Sequence, residues 1–265
     1  MKAAMKKKIL LVFGFVFCCL FYFNSCGLES YIYLNAPTVT HNFPTYETNY
    51  DYLYFEFTTN ERSQNDAFQG TAIYYKIYNN YTTMASQVSS ISSLSSSSTN
   101  ESAAAAKMID SFGYKQLGLK NANGNGIAKT PLIDAKGVNQ RVYIRLTNYQ
   151  DSEDFKAVVK VKNDDGNSDY TELGIPVRAG NRYTFDFGRR DSMKWGDASE
   201  YNVLPEENDA LADVNYSSTF SDEDGNKWYV NLYAVSVGMS EDFVTYYSNV
   251  LHLGAVPIDA SIEDN

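Results

Sequence analysis

His41 and His252 are the only histidines in the chain, and therefore its only imidazoles able to act as general bases near neutral pH. Nucleophilic catalysis needs such a base beside an activated nucleophile. Neither histidine sits in a recognisable motif, and no Gly-x-Ser-x-Gly elbow occurs. The simpler roles are a loop position for His41 and a strand face for His252. Two distant histidines and no free cysteine are a poor set for zinc. Calcium is the better metal candidate, because two acidic loops surround a glycine: "SDEDGNKW", with Asp222, Asp224 and Asn226, and "NDDGNSD", with Asp164, Asp165, Asn167 and Asp169. Neither completes an EF-hand, since the bidentate glutamate at the twelfth position is missing. Asp-Gly also supplies hairpin-turn geometry, the simpler reading of both loops. Carboxylates are too numerous for a glycosidase pair to be picked out by spacing. "NGNG" at 123–126 lacks the Lys-Ser/Thr of a phosphate loop and reads as a turn. No cofactor is expected.

The one residue with a sharp chemical expectation is Cys26. Upstream, Lys2, Lys6, Lys7 and Lys8 precede an almost wholly apolar run from Ile9 to Phe23. That is the charged and apolar regions of a secretory signal, too short for the roughly 20 residues a spanning helix needs. The run breaks at Asn24-Ser25-Cys26-Gly27. Cys18 and Cys19 leave with the signal, so the mature chain keeps one cysteine and forms no internal disulfide. Phe23 suits ordinary signal peptidase badly. The stretch resembles a bacterial lipobox, whose cysteine receives a diacylglyceryl group and becomes the mature N-terminus. Phe23 and Asn24 replace its usual Leu and Ala or Ser, in the relaxed manner of spirochaete lipoproteins. The resemblance implies lipidation at Cys26 and attachment to the cell envelope, in the outer membrane or the periplasmic leaflet. Two or more acyl chains hold a protein firmly where one is marginal.

Cleavage before Cys26 leaves residues 26–265 and takes the net charge from −10 to −14, because the signal carries four lysines and no acids. Nucleic acid and anionic headgroups both call for a basic patch and are not expected partners. Tyrosine is abundant, with 22 residues. It suits half-buried strand faces and, where clustered outside, binding surfaces.

Period-two alternation dominates the mature chain. In "YDYLYFEFTTN", Leu53, Phe55 and Phe57 oppose Tyr54, Glu56 and Thr58; in "GTAIYYKIYNN", Ile73, Tyr75 and Ile77 oppose Tyr74, Lys76 and Tyr78. Further strands are expected in "YKQLGL", "PLID", "QRVYIRLTN", "DFKAVVKVK", "TELGIPVRA", "RYTFDFG", "NKWYVNLYAVSVG" and "YYSNVLHLGAVPI", with a hairpin at "KNDDGNSDY". Serine dominates residues 87–100, which predicts a flexible loop, and the excursion at about 84–106 is expected to be mobile. The alanine run predicts a short helix from Ser102 to Phe112, stopped by Gly113. Residues 1–25 are the expected signal, 26–36 a tether and 37–265 one elaborated β-sandwich.

The terminal strands resemble the fibronectin type III family. Trp228, Val230, Leu232, Ala234, Val235, Ser236 and Gly238 follow that family's penultimate strand. "APTVTHN", Leu53-x-Phe55-x-Phe57 and Ile73-x-Tyr75-x-Ile77 resemble its first three. Trp228 stands where the family's corner tyrosine is usual, and an indole N–H can only donate. The resemblance implies an all-β, fibronectin type III/immunoglobulin-like sandwich with the Ser-rich loop and short helix inside a long insertion.

The reading that follows is a lipid-anchored envelope protein with a non-catalytic binding or structural sandwich. Its membrane contact is the N-terminal lipid, and a protein or glycan partner would meet Tyr74, Tyr78, Tyr229 and Tyr233. The alternatives are an envelope hydrolase acting on glycan or peptide, or a subunit of a larger assembly. Core strands are expected to place Phe55, Phe57, Ile73 and Ile77 opposite the Trp228 strand.

Overall fold

The two longest strands are those with the most regular alternation. The computed structural model describes residues 32–41, 49–97, 100–121, 123–127, 130–148, 156–180, 183–187, 205–207, 211–221 and 227–259. The signal with Cys26, and the acidic loop with Asp222, Asp224 and Asn226, lie outside the described residues. Tyr33–Asn265 forms one compact unit. Strand β3 (Phe68–Tyr78) pairs antiparallel with β12 (Lys227–Met239), from Tyr229 opposite Tyr78 to Gly238 opposite Phe68. The other edge of β12 takes β13 (Thr245–Tyr247) and β14 (Leu251–Asp259). Short β4 (Lys115–Gln116), β7 (Ile133–Asp134) and β11 (Val214–Asn215) add to β3. At the β7 crossing Gly70 has φ +148°, and a Cβ there would fall 2.1 Å from the Ile133 carbonyl oxygen, so no side chain fits.

The second sheet runs β1 (Thr38–His41), β2 (Phe55–Thr58), β8 (Gln140–Arg145), β9 (Val158–Asn163), β10 (Thr171–Val177), β5 (Gly118–Lys120) and β6 (Gly126–Ile127). Its inner residues, among them Phe55, Phe57, Val142 and Ile144, meet Ile73, Ile77, Trp228 and Leu232 of the first sheet in one buried core. The molecule is an all-β sandwich of two mainly antiparallel sheets, as the alternation predicts. Phe55 and Phe57 do face the Trp228 strand. Ile73 and Ile77 do not, because β3 is hydrogen-bonded to β12 and lies beside it in the same sheet.

The far side of the first sheet carries a third layer, and here a helix stands where a serine loop is expected. Residues Tyr81–Ser97 form helix α1. Asn80 caps it, its Oδ1 accepting from the Thr83 N–H at 2.9 Å. Met84, Val88, Ile91 and Leu94 recur at helical spacing and pack on the tyrosine face of the sheet. The serines occupy the remaining positions, so composition misreads a segment whose few apolar residues share one face. Helix α2 (Ser102–Ala106) continues into a π-helical turn, Lys107–Ser111. It ends at Gly113, φ +68°, where the alanine run predicts a stop. Ala104 and Ala105 are fully buried, small enough for the helix backbone to approach the sheet. Lys76, on the helix side of β3, donates to the Phe112 carbonyl at that helix end, where a cation complements the dipole.

Two further expectations change. "RYTFDFG" forms no strand over its described residues 183–187, yet Phe185 and Phe187 are buried in the core. The last residues assigned to the tether pack on the sandwich: Leu34 is buried, and the Asn35 carbonyl accepts from Ser236 Oγ at 2.7 Å. Trp228 packs against Phe187 and Phe220. Trp228→Ala should cost roughly 3–5 kcal/mol, the range for deleting a large buried aromatic; the unfolding midpoint in urea measures it.

Candidate functional site

The tyrosines predicted to form a binding surface are covered. Tyr74, Tyr78, Tyr229 and Tyr233 point away from the sandwich core, as alternation requires, but the helical layer closes over them and all are buried. Tyr81 of α1 packs edge-on against Tyr229, with centroids 5.6 Å apart. The Tyr78 hydroxyl donates to Gln87 Oε1 of α1 at 2.7 Å and lies 3.0 Å from the Tyr114 hydroxyl. Asn231 Nδ2 donates to Tyr114 at 2.8 Å, and Asn231 Oδ1 lies 2.7 Å from His252 Nε2. Burial raises the pKa of Tyr78 and Tyr233, and takes that of Tyr114 to about 12, so these phenols stay protonated. His252 does stand on a strand face, tilted against Tyr233 with centroids 4.8 Å apart. Desolvation lowers its pKa, an effect softened by water because the residue has an exposed edge.

Three buried carboxylates, Asp213, Glu61 and Asp186, hold loops in place. Arg178, after β10, donates through Nε and Nη2 to Asp213 Oδ2 and Oδ1 at 2.9 and 2.7 Å, both residues fully buried. The Tyr75 hydroxyl adds a 2.5 Å bond to Asp213 Oδ2, and desolvation first, then the Asp213 charge, raise its pKa. Glu61 Oε2 accepts from the backbone N–H of Lys136 and Gly137 at 2.6 and 2.9 Å, while Oε1 accepts from Gln140 and Thr59. Asp186 accepts from Thr147 Oγ1 and from the Asn148 backbone and side chain. Each carboxylate accepts from several donors on loops and strand ends or strands remote in sequence, an arrangement that fixes the chain.

The outer face of the second sheet is different. The register places His41, Glu56, Tyr143, Lys160 and Glu172 in one row across β1, β2, β8, β9 and β10. The Tyr54 ring lies between His41 and Tyr143, stacked at 4.4 and 4.7 Å. Lys160 Nζ sits 4.8 Å from the Tyr143 ring centroid, and Lys162 Nζ 4.7 Å from that of Tyr170. The Tyr170 hydroxyl donates to Glu56 at 3.0 Å; Arg141 lies 3.6 Å from Glu56 and 3.0 Å from Asp164. Burial, then the Glu56 charge, raise the Tyr170 pKa. Tyr54, Tyr143, Tyr170 and both lysines are half-buried, so the face is ordered yet reaches solvent. His41, Tyr54 and Tyr143 stand face to face, Tyr170 meets Tyr143 edge-on, and the array offers edges, hydroxyls and ammonium groups. This array is the candidate site, on the opposite sheet from the predicted one. Alternation in "YDYLYFEFTTN" and "QRVYIRLTN" already puts Tyr54, Glu56, Arg141 and Tyr143 on polar faces; what one strand cannot show is that these faces are neighbours.

His41 ends β1 and belongs to this stack, where a loop role is expected. The Asp164–Asp169 loop is the β9–β10 hairpin turn: Asp165 Oδ1 accepts from the Asn167 and Ser168 N–H groups at 2.9 Å, and these bonds lower its pKa. Among the described residues no cluster of three or more His, Cys, Asp or Glu could hold a metal, and no helix is long and apolar enough to cross a membrane. No family model, curated protein or solved structure matches the chain.

Arg178→Met should destabilise by about 3–5 kcal/mol, because it strands the buried Asp213 charge; the double variant Arg178→Met/Asp213→Leu should recover much of the loss in urea denaturation. The folded-state pKa of His252 lies below its unfolded value, so its contribution to stability is complete above the unfolded pKa of about 6.5. That contribution is lost as pH falls through the folded-state pKa. Urea midpoints between pH 7.5 and 4.5 should therefore fall less steeply for His252→Gln than for the wild type.

Proposed function

We propose that the chain is a lipid-anchored bacterial envelope protein of spirochaete type whose sandwich binds a protein or glycan partner without catalysing a reaction. The observation that carries the binding reading is the ordered, half-exposed array of Tyr54, Tyr143, Tyr170, Lys160 and Lys162. It contrasts with buried carboxylates that are engaged by loop donors. Because its ring faces are occupied by neighbours, the array suits partners bound through hydrogen bonds and charge more than a bare sugar ring seeking a free aromatic plane. The anchor rests on the charged and apolar signal ending at Ser25-Cys26. The fibronectin type III likeness is supported by strand distribution: β1 and β2 lie in one sheet and β3, β12 and β14 in the other, as the first two and the third, sixth and seventh strands of immunoglobulin-like sandwiches do.

Labelling cells with a radioactive fatty acid tests the anchor: the wild type should take up label, and Cys26→Ala should remain an unlabelled precursor. Detergent partitioning of a normally cleaved Cys26→Ala chain would refute it. A photo-crosslinker at residue 162, in the native envelope, should give a discrete adduct that Tyr143→Ala reduces at least about tenfold, the loss of one hot-spot contact. Equal adducts from residue 162 and from exposed Ser93 of α1 would refute the face.

A further inference from the structure

The turn between β12 and β13 holds an apolar ring in solvent on backbone suited to another residue. Phe243 is 83% exposed and has φ +61°, in the left-handed region where glycine or asparagine carries little penalty and a bulky side chain is an outlier. The turn is ordered by hydrogen bonds. The Ser240 N–H donates to the Val244 carbonyl at 2.9 Å, the Phe243 N–H to the Ser240 carbonyl at 3.0 Å, and the Val244 N–H to Ser240 Oγ at 3.1 Å. Val244 is 52% and Met239 38% exposed beside it. A strained backbone that presents an apolar group points to contact with something outside the fold.

The chain's entry into the sandwich indicates what that is. Leu34 packs against Gly238, where a Cβ would come within 3.0 Å of Leu34 Cδ1. The Met239 N–H donates to the Ala67 carbonyl at 2.9 Å, and Asn65 Nδ2 donates to the Tyr33 carbonyl at 2.9 Å. Tyr33, 49% exposed, therefore enters at the end of the sandwich that carries the Phe243 turn. Between Cys26 and Tyr33 the contour is at most about 25 Å, from roughly 3.3–3.6 Å per extended residue. A bilayer holding acyl chains on Cys26 lies within that reach of this end.

We propose that the Phe243 turn is a second membrane contact, which docks into the headgroup layer of the bilayer that holds acylated Cys26 and so stands the sandwich end-on. The inference rests on the lipoprotein reading. Glu241 and Asp242 share the turn, and the mature chain is strongly acidic, so the lipid surface it fits is zwitterionic and not anionic. Phe243, Val244 and Met239 supply apolar depth, and Tyr33 the amphipathic ring favoured at membrane interfaces. Docked in this way, the long strands run away from the membrane and the Tyr143–Lys160 face stays open to the side.

The test uses the full-chain lipoprotein in phosphatidylcholine vesicles, with an environment-sensitive fluorophore at Asp242→Cys or, at the opposite end, at Ser218→Cys. Ser218 follows Ser217, whose N–H donates to Asn79 Oδ1 just beyond the far end of β3. Thioether formation leaves Cys26 itself unreactive. Nitroxide-bearing lipid should quench the probe at 242 about tenfold more than that at 218. Phe243→Asn, which suits the backbone and so keeps the fold, should abolish the difference: removing a buried Phe contact is worth at least about a factor of ten. Equal quenching at 242 and 218 in fatty-acid-labelled protein would overturn the docking while the tether stands. An emission shift of the probe at 242 in native envelope, without selective quenching by nitroxide-bearing lipid there or in these vesicles, would also overturn it, because the turn would then meet a protein. Absence of fatty-acid label on the wild type would overturn the tether and the docking together.

Discussion

The pairing of β3 with β12 is the constraint on which the other elements depend. Both strands are buried on both faces over almost their whole length, an uncommon situation in an antiparallel sheet. One face meets the second sheet through Ile73, Ile77, Trp228 and Leu232; the other meets α1 and α2 through Tyr74, Tyr78, Tyr229 and Tyr233. A single ladder thus organises two cores. Without the helices, the row of tyrosines would be a broad aromatic patch in water, larger than monomeric proteins usually leave open.

Burial on both sides makes polar groups on these strands costly unless each finds a partner. Asn231, in the middle of β12, meets Tyr114 and His252. The Ser236 N–H donates to Ser248 Oγ, and its hydroxyl donates to the Asn35 carbonyl, which ties the N-terminal entry to the central ladder. Asn79, just past β3, exchanges bonds with Ser217 in both directions, while the Ile77 N–H donates to the Asp213 carbonyl. Remote loops are therefore held in place by the need of the central strands for partners. No cysteine follows residue 26, so no disulfide ties the sandwich loops to one another, and the bidentate Arg178–Asp213 pair and the Glu61 and Asp186 carboxylates fix long loops instead.

The sandwich was legible because its signal is local: a period of two is visible within each strand, and the glycines at 113 and 166 mark turns where a positive φ is required. Helix α1 was less legible because eight serines among its 17 residues dilute Met84, Val88, Ile91 and Leu94, whose spacing rather than number decides the matter. "RYTFDFG" alternates like a strand, but Arg178 and Asp186 hold its surroundings to other loops, and Phe185 and Phe187 enter the core without a ladder. Choosing a tyrosine face was harder still. Tyr74 and Tyr143 alternate equally well, and what separates them is which side of which sheet the helices cover, a long-range fact that no single strand carries.

The same burial pattern accounts for where chemistry remains available. Covering one face of the first sheet with helices and the other with the second sheet leaves the outer side of the second sheet as the only broad strand surface that reaches solvent among the described residues. On that side His41, Tyr54 and Tyr143 stack upon each other, and Lys160 and Lys162 lie over rings in place of extending freely. Such mutual support lowers the conformational entropy that a partner would otherwise have to remove on binding. It also exposes charged and hydroxyl edges in a fixed register set by the ladder from β1 to β10. A surface ordered by its own contacts can recognise a partner through geometry, which is the physical basis of the proposed binding role.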